Sequence, residues 1–217
     1  MPNKTATLCD QLKETLPPVF STKDITPLLE NDYSSPQKKV TQLEKQGYLF
    51  RLKRGFYTFE EFCNRYLIAG TLHSPSYISY ETALSFYNMI PEKVETIYSV
   101  VSGRPLEIDT SVGSFIYRSQ SKTLYSLGMS MTHIDKNSFL IASKEKALLD
   151  TLAQHKLSTT TLSNSDVYQY VIESLRVEPS ELLNLSCREL KKISKLYRNH
   201  APRKLSQEID RIKKGQS

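Results

Sequence analysis

Apolar residues recur at helical spacing at the start of the chain. Leu8, Leu12 and Leu16 lie four residues apart between positions 5 and 16. This spacing predicts an amphipathic helix, which ends where Pro17-Pro18 cannot continue it.

A second helix follows, and the pattern allows two starting points for it. Ser21 and Asp24 have the spacing of a capping box, whereas Pro27 favours a start at Thr26, with the proline in the first helical position. The sequence leaves this choice open.

The stretch from Ser34 to Phe59 combines a short helix with a basic hairpin. A serine followed by Pro36 starts the helix, Gly47 ends it, and Val40 and Leu43 mark its buried face. The residues after Gly47 are aromatic and aliphatic, which predicts two short strands joined at a Lys-Arg-Gly turn. Helix and hairpin together have the form of the recognition helix and wing of a winged helix-turn-helix domain, which we assign to residues 1–59.

The rest of the chain predicts a mixed α+β domain. We expect a connecting helix over residues 60–72 and a second domain over residues 73–217, with a mostly antiparallel sheet and a helical C-terminus. Period-two patterning predicts strands over 96–101, 114–117, 129–134 and 138–141. Helices are predicted over 80–87, 144–155, 166–175, 179–185, 188–197 and 203–214.

Charge is distributed unevenly and adds a functional expectation to this fold. The net charge is +6. Between Pro36 and Tyr57 there are six basic residues and one acid, and between Arg188 and Lys214 ten basic residues and three acids. The segment from Thr58 to Asp150 has ten acids and eight bases. Basic stretches that flank a slightly acidic centre are typical of nucleic-acid binding.

DNA binding is the sharpest hypothesis. A recognition helix enters the major groove and reads base edges with short polar side chains, while lysines and arginines contact phosphates. The residues with these positions and chemistries are Ser35, Gln37, Lys38, Thr41, Gln42, Lys45, Arg51, Lys53 and Arg54. A solvated helix face, or a winged helix used for protein contacts, is the alternative explanation.

A possible secondary basic surface lies near the C-terminus. Its residues are Arg188, Lys191, Lys192, Lys195, Arg198, Arg203 and Lys204. Extra phosphate contact, a surface for an RNA or a partner, and a simple solvated face remain open explanations.

Composition argues against membrane, secreted and metal-dependent classes. No apolar run approaches the roughly 20 residues of a membrane helix, and the first residues lack a signal-peptide core, so we expect a cytoplasmic protein. Cys9, Cys63 and Cys187 are too far apart for a C-x-x-C motif and predict free thiols. The four histidines are scattered and no phosphate-binding glycine motif is present, so we expect no enzyme, no metal and no cofactor.

Three motifs resemble the AbiEi antitoxin family. They are Tyr77–Glu92, Ile141–Asp150, and the hairpin from Gly47 to Tyr57. The resemblance covers roughly residues 5 to 155. Lys144 stands where the family often has a proline, which is compatible with a helix start.

The resemblance implies a function in an operon. Members pair an N-terminal winged helix with a C-terminal α+β domain and act in type IV toxin–antitoxin systems of abortive infection. They repress their own operon and counter a nucleotidyltransferase-like toxin without forming a stable complex with it. Double-stranded DNA with an inverted-repeat operator, bound by two copies, is then the expected partner. The alternatives are a stand-alone regulator whose second domain binds a ligand or protein, and an interaction module that no longer contacts DNA.

Overall fold

The chain folds as a mixed α+β protein. The computed structural model describes residues 4–61, 63–134, 137–155, 157 and 162–215. About half of the chain is helical and a fifth is in strands, as the 49% helical and 21% strand contents show. Among the described residues, no helix has the length and apolar character needed to cross a bilayer.

The N-terminal part joins three helices to a small sheet. In chain order its elements are α1 (Lys4–Thr15), β1 (Val19–Ser21), α2 (Thr22–Leu29), α3 (Pro36–Lys45), β2 (Phe50–Lys53) and β3 (Phe56–Thr58). The strands follow the order β1-β3-β2, and both pairings are antiparallel. The sequence predicts the hairpin but misses β1, which has only three residues and pairs with a strand far along the chain.

The start of α2 follows the first of the two alternatives. The carboxylate of Asp24 accepts a 2.7 Å hydrogen bond from the backbone N–H of Ser21, so the capping box forms and the helix begins at Thr22. The start at Thr26 is wrong. Pro27 lies inside the helix.

The boundaries of α3 and the hairpin are confirmed. Pro36 is the first residue of α3, and its buried face includes Val40 and Leu43. Past the end of the helix, Gly47 adopts a φ of +76°, and the N–H of Tyr48 returns to the carbonyl of Leu43 at 3.0 Å. Glycine tolerates this left-handed conformation, which explains why the helix ends here.

The connecting helix is shorter than the predicted 60–72. α4 covers Arg65–Leu72 and begins after Asn64, whose side-chain oxygen accepts a 2.9 Å hydrogen bond from the N–H of Tyr66. This cap fixes the start of the helix, so Glu60 and Glu61 precede it. Phe62, within the predicted range of this helix, lies outside the described residues.

The second sheet has six strands and is mixed. They are β4 (Ser76–Ile78), β5 (Ile97–Val101), β6 (Leu106–Thr110), β7 (Gly113–Ser119), β8 (Met129–Ile134) and β9 (Asn137–Ala142). Their order is β6-β7-β5-β4-β9-β8, with β5–β7 and β4–β9 parallel and the other three pairings antiparallel. The sequence predicts four of these strands and misses β4 and β6, as well as the two parallel pairings.

Seven helices accompany this sheet in the described part of the chain. They are α5 (Tyr80–Phe86), α6 (Lys122–Tyr125), α7 (Lys144–Gln154), α8 (Asn164–Glu173), α9 (Pro179–Asn184), α10 (Cys187–Ser194) and α11 (Ala201–Gly215). The helix α7 is central, since α5, α10 and α11 all pack against it. Ser143 caps α7 through its hydroxyl, which accepts a hydrogen bond from the N–H of Lys146 at 3.2 Å. The helical C-terminus is therefore confirmed, with boundaries that differ by up to three residues.

Buried apolar side chains form two clusters. The smaller one lies within the N-terminal part and includes Phe20, Ile25 and Leu43, and the larger one fills the second part between sheet and helices. The three cysteines are free thiols, as the sequence predicts. The division into domains at residues 59 and 73 stays a prediction, since Val19 and Leu52 of the N-terminal part belong to the larger cluster.

Candidate nucleic-acid interface

The outer face of α3 is polar and exposed. Its five exposed side chains, which line one shallow depression, are those of Gln37, Lys38, Thr41, Gln42 and Lys45. Thr41, Gln42 and Lys45 follow Lys38 by three, four and seven residues, and Gln37 precedes Thr41 by four, so the five share one side of the helix. Because the opposite side packs into the core, this face is held in a fixed orientation.

Two residues of this face already make contacts within α3. The hydroxyl of Thr41 donates a 3.0 Å hydrogen bond to the carbonyl of Gln37. At the start of the helix, Ser35 is half-buried, and its carbonyl accepts from the N–H of Lys39 at 3.1 Å. The Ser35 hydroxyl does not cap the helix backbone.

Arg54 and Arg51 project from the hairpin. Arg54 is exposed in the turn between β2 and β3, next to Gly55, whose φ is +81°. Arg51 is also exposed, and its guanidinium lies 3.9 Å from the carboxylate of Glu44 on α3. This contact places the hairpin beside the C-terminal end of α3.

Lys53 faces inward instead. Its ammonium donates a 3.2 Å hydrogen bond to the carbonyl of Leu72 and lies 4.7 Å from the centre of the Phe56 ring. Burial lowers the pKa of Lys53 below its ordinary value. The structure therefore does not bring Lys53 to the exposed surface that the other candidate residues share.

Lys39 is a residue whose position the sequence reasoning overlooked. Its side chain is buried, and its ammonium lies 4.9 Å from the centre of the Tyr33 ring. This cation–π contact ties α3 to the turn before it. The signal was present, because Lys39 follows Pro36 by three residues and precedes Leu43 by four, and so shares their inner face.

Four of the predicted C-terminal basic residues share one face of α10. Arg188, Lys191, Lys192 and Lys195 are exposed, whereas Leu190 and Ile193 on the other side are buried. Lys191 pairs with Asp210 at 2.7 Å, and Lys192 lies 3.5 Å from Glu189.

The other predicted residues of this surface divide into two groups. Arg198 and Arg203 are exposed. Lys204 is half-buried, and its ammonium donates to the carbonyl of Leu162. The side chain of Lys204 therefore extends from α11 to the segment before α8, and it does not contribute to the exposed surface.

A buried network of polar groups joins α7 to its surroundings. The side chains of Lys146 and Asp150 form an ion pair with no exposure of either group. The carboxylate of Asp150 also accepts from Ser79 at 2.7 Å, Gln120 at 2.5 Å and Tyr197 at 2.5 Å. Four segments that are distant in the sequence therefore meet at the carboxylate of Asp150.

Burial is the main cause of the pKa shifts within this network, and its charges are the second. Burial lowers the pKa of Lys146, and the nearby carboxylate opposes that shift. Burial raises the pKa of Tyr197 well above its ordinary value, and the negative charge of Asp150 adds to the increase. Helical spacing accounts for the pair with Lys146, four residues earlier, but gives no sign of the three long-range partners.

A cleft of about 570 Å³ opens directly above the network. Asp150, Tyr197 and Arg198 are among its lining residues, and we call the part next to Asp150 and Tyr197 its floor. Its remaining lining is partly polar, from Ser119, Ser121 and Gln154, and partly apolar, from Leu124, Ala153 and Leu196. The sequence gives no sign of this cleft, because its residues come from segments far apart in the chain.

Metal chemistry has no visible basis in the part of the chain that the structure describes. No group of three or more histidine, cysteine, aspartate or glutamate side chains is placed to hold an ion there. His155 and His133 instead lie within hydrogen-bonding distance of hydroxyls, of Tyr170 at 2.8 Å and of Ser138 at 2.9 Å.

No protein-family model and no curated protein matches the chain. Membership of the AbiEi family, and the function that it implies, therefore stay predictions that rest on the three motifs.

Proposed function

We propose that the protein is a DNA-binding antitoxin that represses its own toxin–antitoxin operon. The single observation that carries DNA binding is the exposed polar face of α3 next to the basic hairpin β2–β3. The N-terminal part acts as a winged helix-turn-helix, with α3 as the recognition helix and the hairpin as the wing. The support is the order of its elements, three helices followed by a hairpin, together with the charge that they expose.

The recognition step follows from the chemistry of each side chain. Gln37, Thr41 and Gln42 contact base edges in the major groove, where amides and hydroxyls distinguish base pairs. Lys38 and Lys45 neutralise phosphates on either side of the helix.

The ends of this surface contact the backbone of the duplex. Ser35 and the first amides of α3 hold a phosphate, and Arg54 in the hairpin turn reaches the adjacent minor groove. Arg51 contributes positive charge next to α3. Lys53 does not contact DNA but stabilises the hairpin through its hydrogen bond to the carbonyl of Leu72.

Two copies bind an inverted-repeat operator and block transcription sterically. If a two-fold axis relates them, the half-sites lie about 34 Å apart, which is one turn of the DNA.

The antitoxin activity belongs to the second part of the chain and rests on the AbiEi resemblance alone. In that family the toxin resembles a nucleotidyltransferase, and no stable complex with the antitoxin forms. A toxin-rescue assay separates this function from that of a stand-alone regulator. Rescue of growth by this chain, when a nucleotidyltransferase-like toxin from its own operon is expressed, supports the antitoxin, and repression without rescue supports the regulator.

Substitutions on the α3 face test DNA binding. Gln42→Ala removes a base contact and should weaken operator binding by about 1–3 kcal/mol while leaving the affinity for unrelated DNA almost unchanged. Lys45→Gln and Arg54→Gln should weaken both and reduce the slope of log affinity against log salt by about 0.9 each. Lys93→Gln, an exposed lysine in the second part, is the matched control for charge. Equal affinities for all four variants and the natural protein in a mobility-shift assay would refute the assignment.

A further inference from the structure

The segment that contains the last two helices has a higher net positive charge than the basic segment from Pro36 to Tyr57. From Arg188 to Lys214 there are ten basic residues and three acids, whereas the whole chain carries only +6. The remainder of the chain is therefore nearly neutral. A surface of this kind has one natural class of partner, a polyanion.

Ion pairing leaves part of this charge available. Glu189, Glu208 and Asp210 are the only acids of the segment, and each of them pairs with lysine or arginine on α10 or α11. Four exposed basic residues form no ion pair within the described part of the chain, and these are Arg188, Lys195, Arg198 and Arg203.

The unpaired residues lead along α10 to the cleft. Arg188 and Lys195 lie seven residues apart, which is two helical turns and about 10 Å of helix axis, so they share one face. Lys195 is the C-cap of α10, and Leu196, Tyr197 and Arg198 follow it directly as lining residues of the cleft. We call Arg188, Lys191, Lys192, Lys195 and Arg198 the basic stripe.

The cleft has the size and lining that suit a nucleotide. Its volume of about 570 Å³ lies within the roughly 300–1,000 Å³ of ordinary small-ligand sites. Leu196 at its edge is a large apolar side chain with 38% exposure, which offers a surface to a base. Ser119, Ser121 and Gln154 also line the cleft and supply hydrogen-bonding groups.

The buried network links this cleft to distant segments of the chain. Asp150 accepts hydrogen bonds at Oδ1 from Lys146, Gln120 and Tyr197 and at Oδ2 from Ser79, and these contacts support the floor of the cleft.

We infer that the cleft and the basic stripe together bind a single-stranded nucleic acid. An unstacked nucleotide enters the cleft beside Leu196, and the phosphates next to it lie along the stripe. A duplex does not fit this arrangement, because its bases are paired and stacked, whereas a single strand presents bases that can turn outward. The inference is independent of duplex recognition by α3.

The test uses the full-length protein and fluorescence anisotropy. The probes are a labelled 12-nucleotide RNA of mixed sequence, the same sequence as single-stranded DNA, and the same sequence as duplex DNA. Lys195→Gln/Arg198→Gln removes two charges of the stripe, and Leu196→Ser removes the apolar wall of the cleft. Lys93→Gln/Arg104→Gln is the matched control, because it also removes one lysine and one arginine, at two exposed positions outside the stripe and outside the C-terminal basic segment.

Each variant has its own expected signature. The stripe variant should lose roughly tenfold or more in affinity for the single-stranded probes, and its salt slope should fall by about 1.4, the value for two phosphate contacts with a single strand. Leu196→Ser should lose severalfold in affinity with its salt slope unchanged, since it removes an apolar contact and no charge. The control should behave like the natural protein, and duplex binding should be the same in all variants.

Three results would overturn the inference. They are no salt-dependent binding of either single strand, equal losses in the stripe variant and the control, and a loss of duplex affinity as large as that of the single strands. The last two outcomes indicate general electrostatics or a duplex surface. Capture of an acidic protein by the stripe, with no binding of any nucleic acid, indicates a protein partner. Comparison of the RNA and DNA strands shows whether a 2′-hydroxyl is required. If only single-strand binding is absent, this inference is wrong, but the proposal that α3 recognises duplex DNA is unaffected.

Discussion

Asp150→Asn should lower the free energy of unfolding strongly although it changes the side chain very little. The asparagine has nearly the same shape as the aspartate, so no cavity forms. The change removes one negative charge from a site where Lys146 is buried with no exposure. It also places an amide NH₂ where the carboxylate now accepts hydrogen bonds from Gln120, Tyr197 and Ser79.

The magnitude follows from the burial of the pair. Breaking a buried ion pair by removing one partner costs about 3–5 kcal/mol, because the remaining charge is left uncompensated. For a protein of this length, 1 kcal/mol corresponds to about 2–4 °C in Tm, so the loss amounts to roughly 6–20 °C. Lys146→Met should cost a comparable amount, since it leaves the carboxylate without its cation.

Urea denaturation followed by circular dichroism measures the effect. Asp109→Asn is the control: its exposed carboxylate accepts one hydrogen bond, from Ser114 at 2.6 Å, and its loss should change the unfolding free energy by less than about 0.5 kcal/mol. The double variant Lys146→Met/Asp150→Leu should be more stable than either single variant, because no charge is then buried. If Asp150→Asn unfolds within about 1 kcal/mol of the natural protein, the network is not the strong structural link described here.

Two further predictions concern pH and packing. Burial raises the pKa of Tyr77, Tyr80, Tyr117 and Tyr197, so above about pH 10 the unfolded chain loses protons that the folded chain keeps. Stability is therefore complete below that pH and should fall above it by about 1.4 kcal/mol per pH unit for each tyrosine, and a flat urea midpoint between about pH 9 and about pH 11 would contradict the burial. Gly128→Ala should destabilise the protein by about 1–3 kcal/mol, since Gly128 has a φ of +65° and an added Cβ would lie 2.9 Å from the Cβ of Lys146. Gly103→Ala, where nothing lies within 4 Å, is its control in the same thermal-melting experiment.

The parts of the fold that the sequence predicts correctly are those with local signals. The start of α3 depends on a proline and its end on Gly47, and both act through the backbone of the same few residues. Ser143 marks the start of α7 in the same way, whereas Ser79 precedes α5 without capping it and donates its hydroxyl hydrogen bond to Asp150 instead. Strands β1 and β4 have three residues each, and their pairing depends on partners that are far away in the chain, so periodicity cannot reveal them.

The same distinction between local signals and long-range contacts applies to the candidate site. The polar stripe of α3 follows from helical spacing, and its exposure is confirmed. Lys53 and Lys204 are predicted at the surface on the basis of charge alone, but both donate to backbone carbonyls and lie partly inside the protein. Long basic side chains can bury their aliphatic part while the ammonium group donates a hydrogen bond to a backbone carbonyl. Whether they do so depends on the tertiary structure.

For the buried network, the sequence fails to indicate which residues come together in the folded protein. Lys146 and Asp150 have the spacing of an ordinary exposed helix pair, and the sequence cannot show that Ser79, Gln120 and Tyr197 converge on them. That convergence creates both the structural link and the floor of the cleft.

The central claim is that α3 and its hairpin recognise a specific duplex. The most direct measurement is a fluorescence anisotropy titration of the full-length protein. One probe is the duplex upstream of its own gene, and the other is a scrambled duplex of equal length, each measured between about 0.05 M and about 0.2 M salt. The account predicts at least about a thousandfold tighter binding to the upstream duplex, with log affinity falling linearly as log salt rises. Equal affinity for the two duplexes, or no binding of either at low salt, would contradict it.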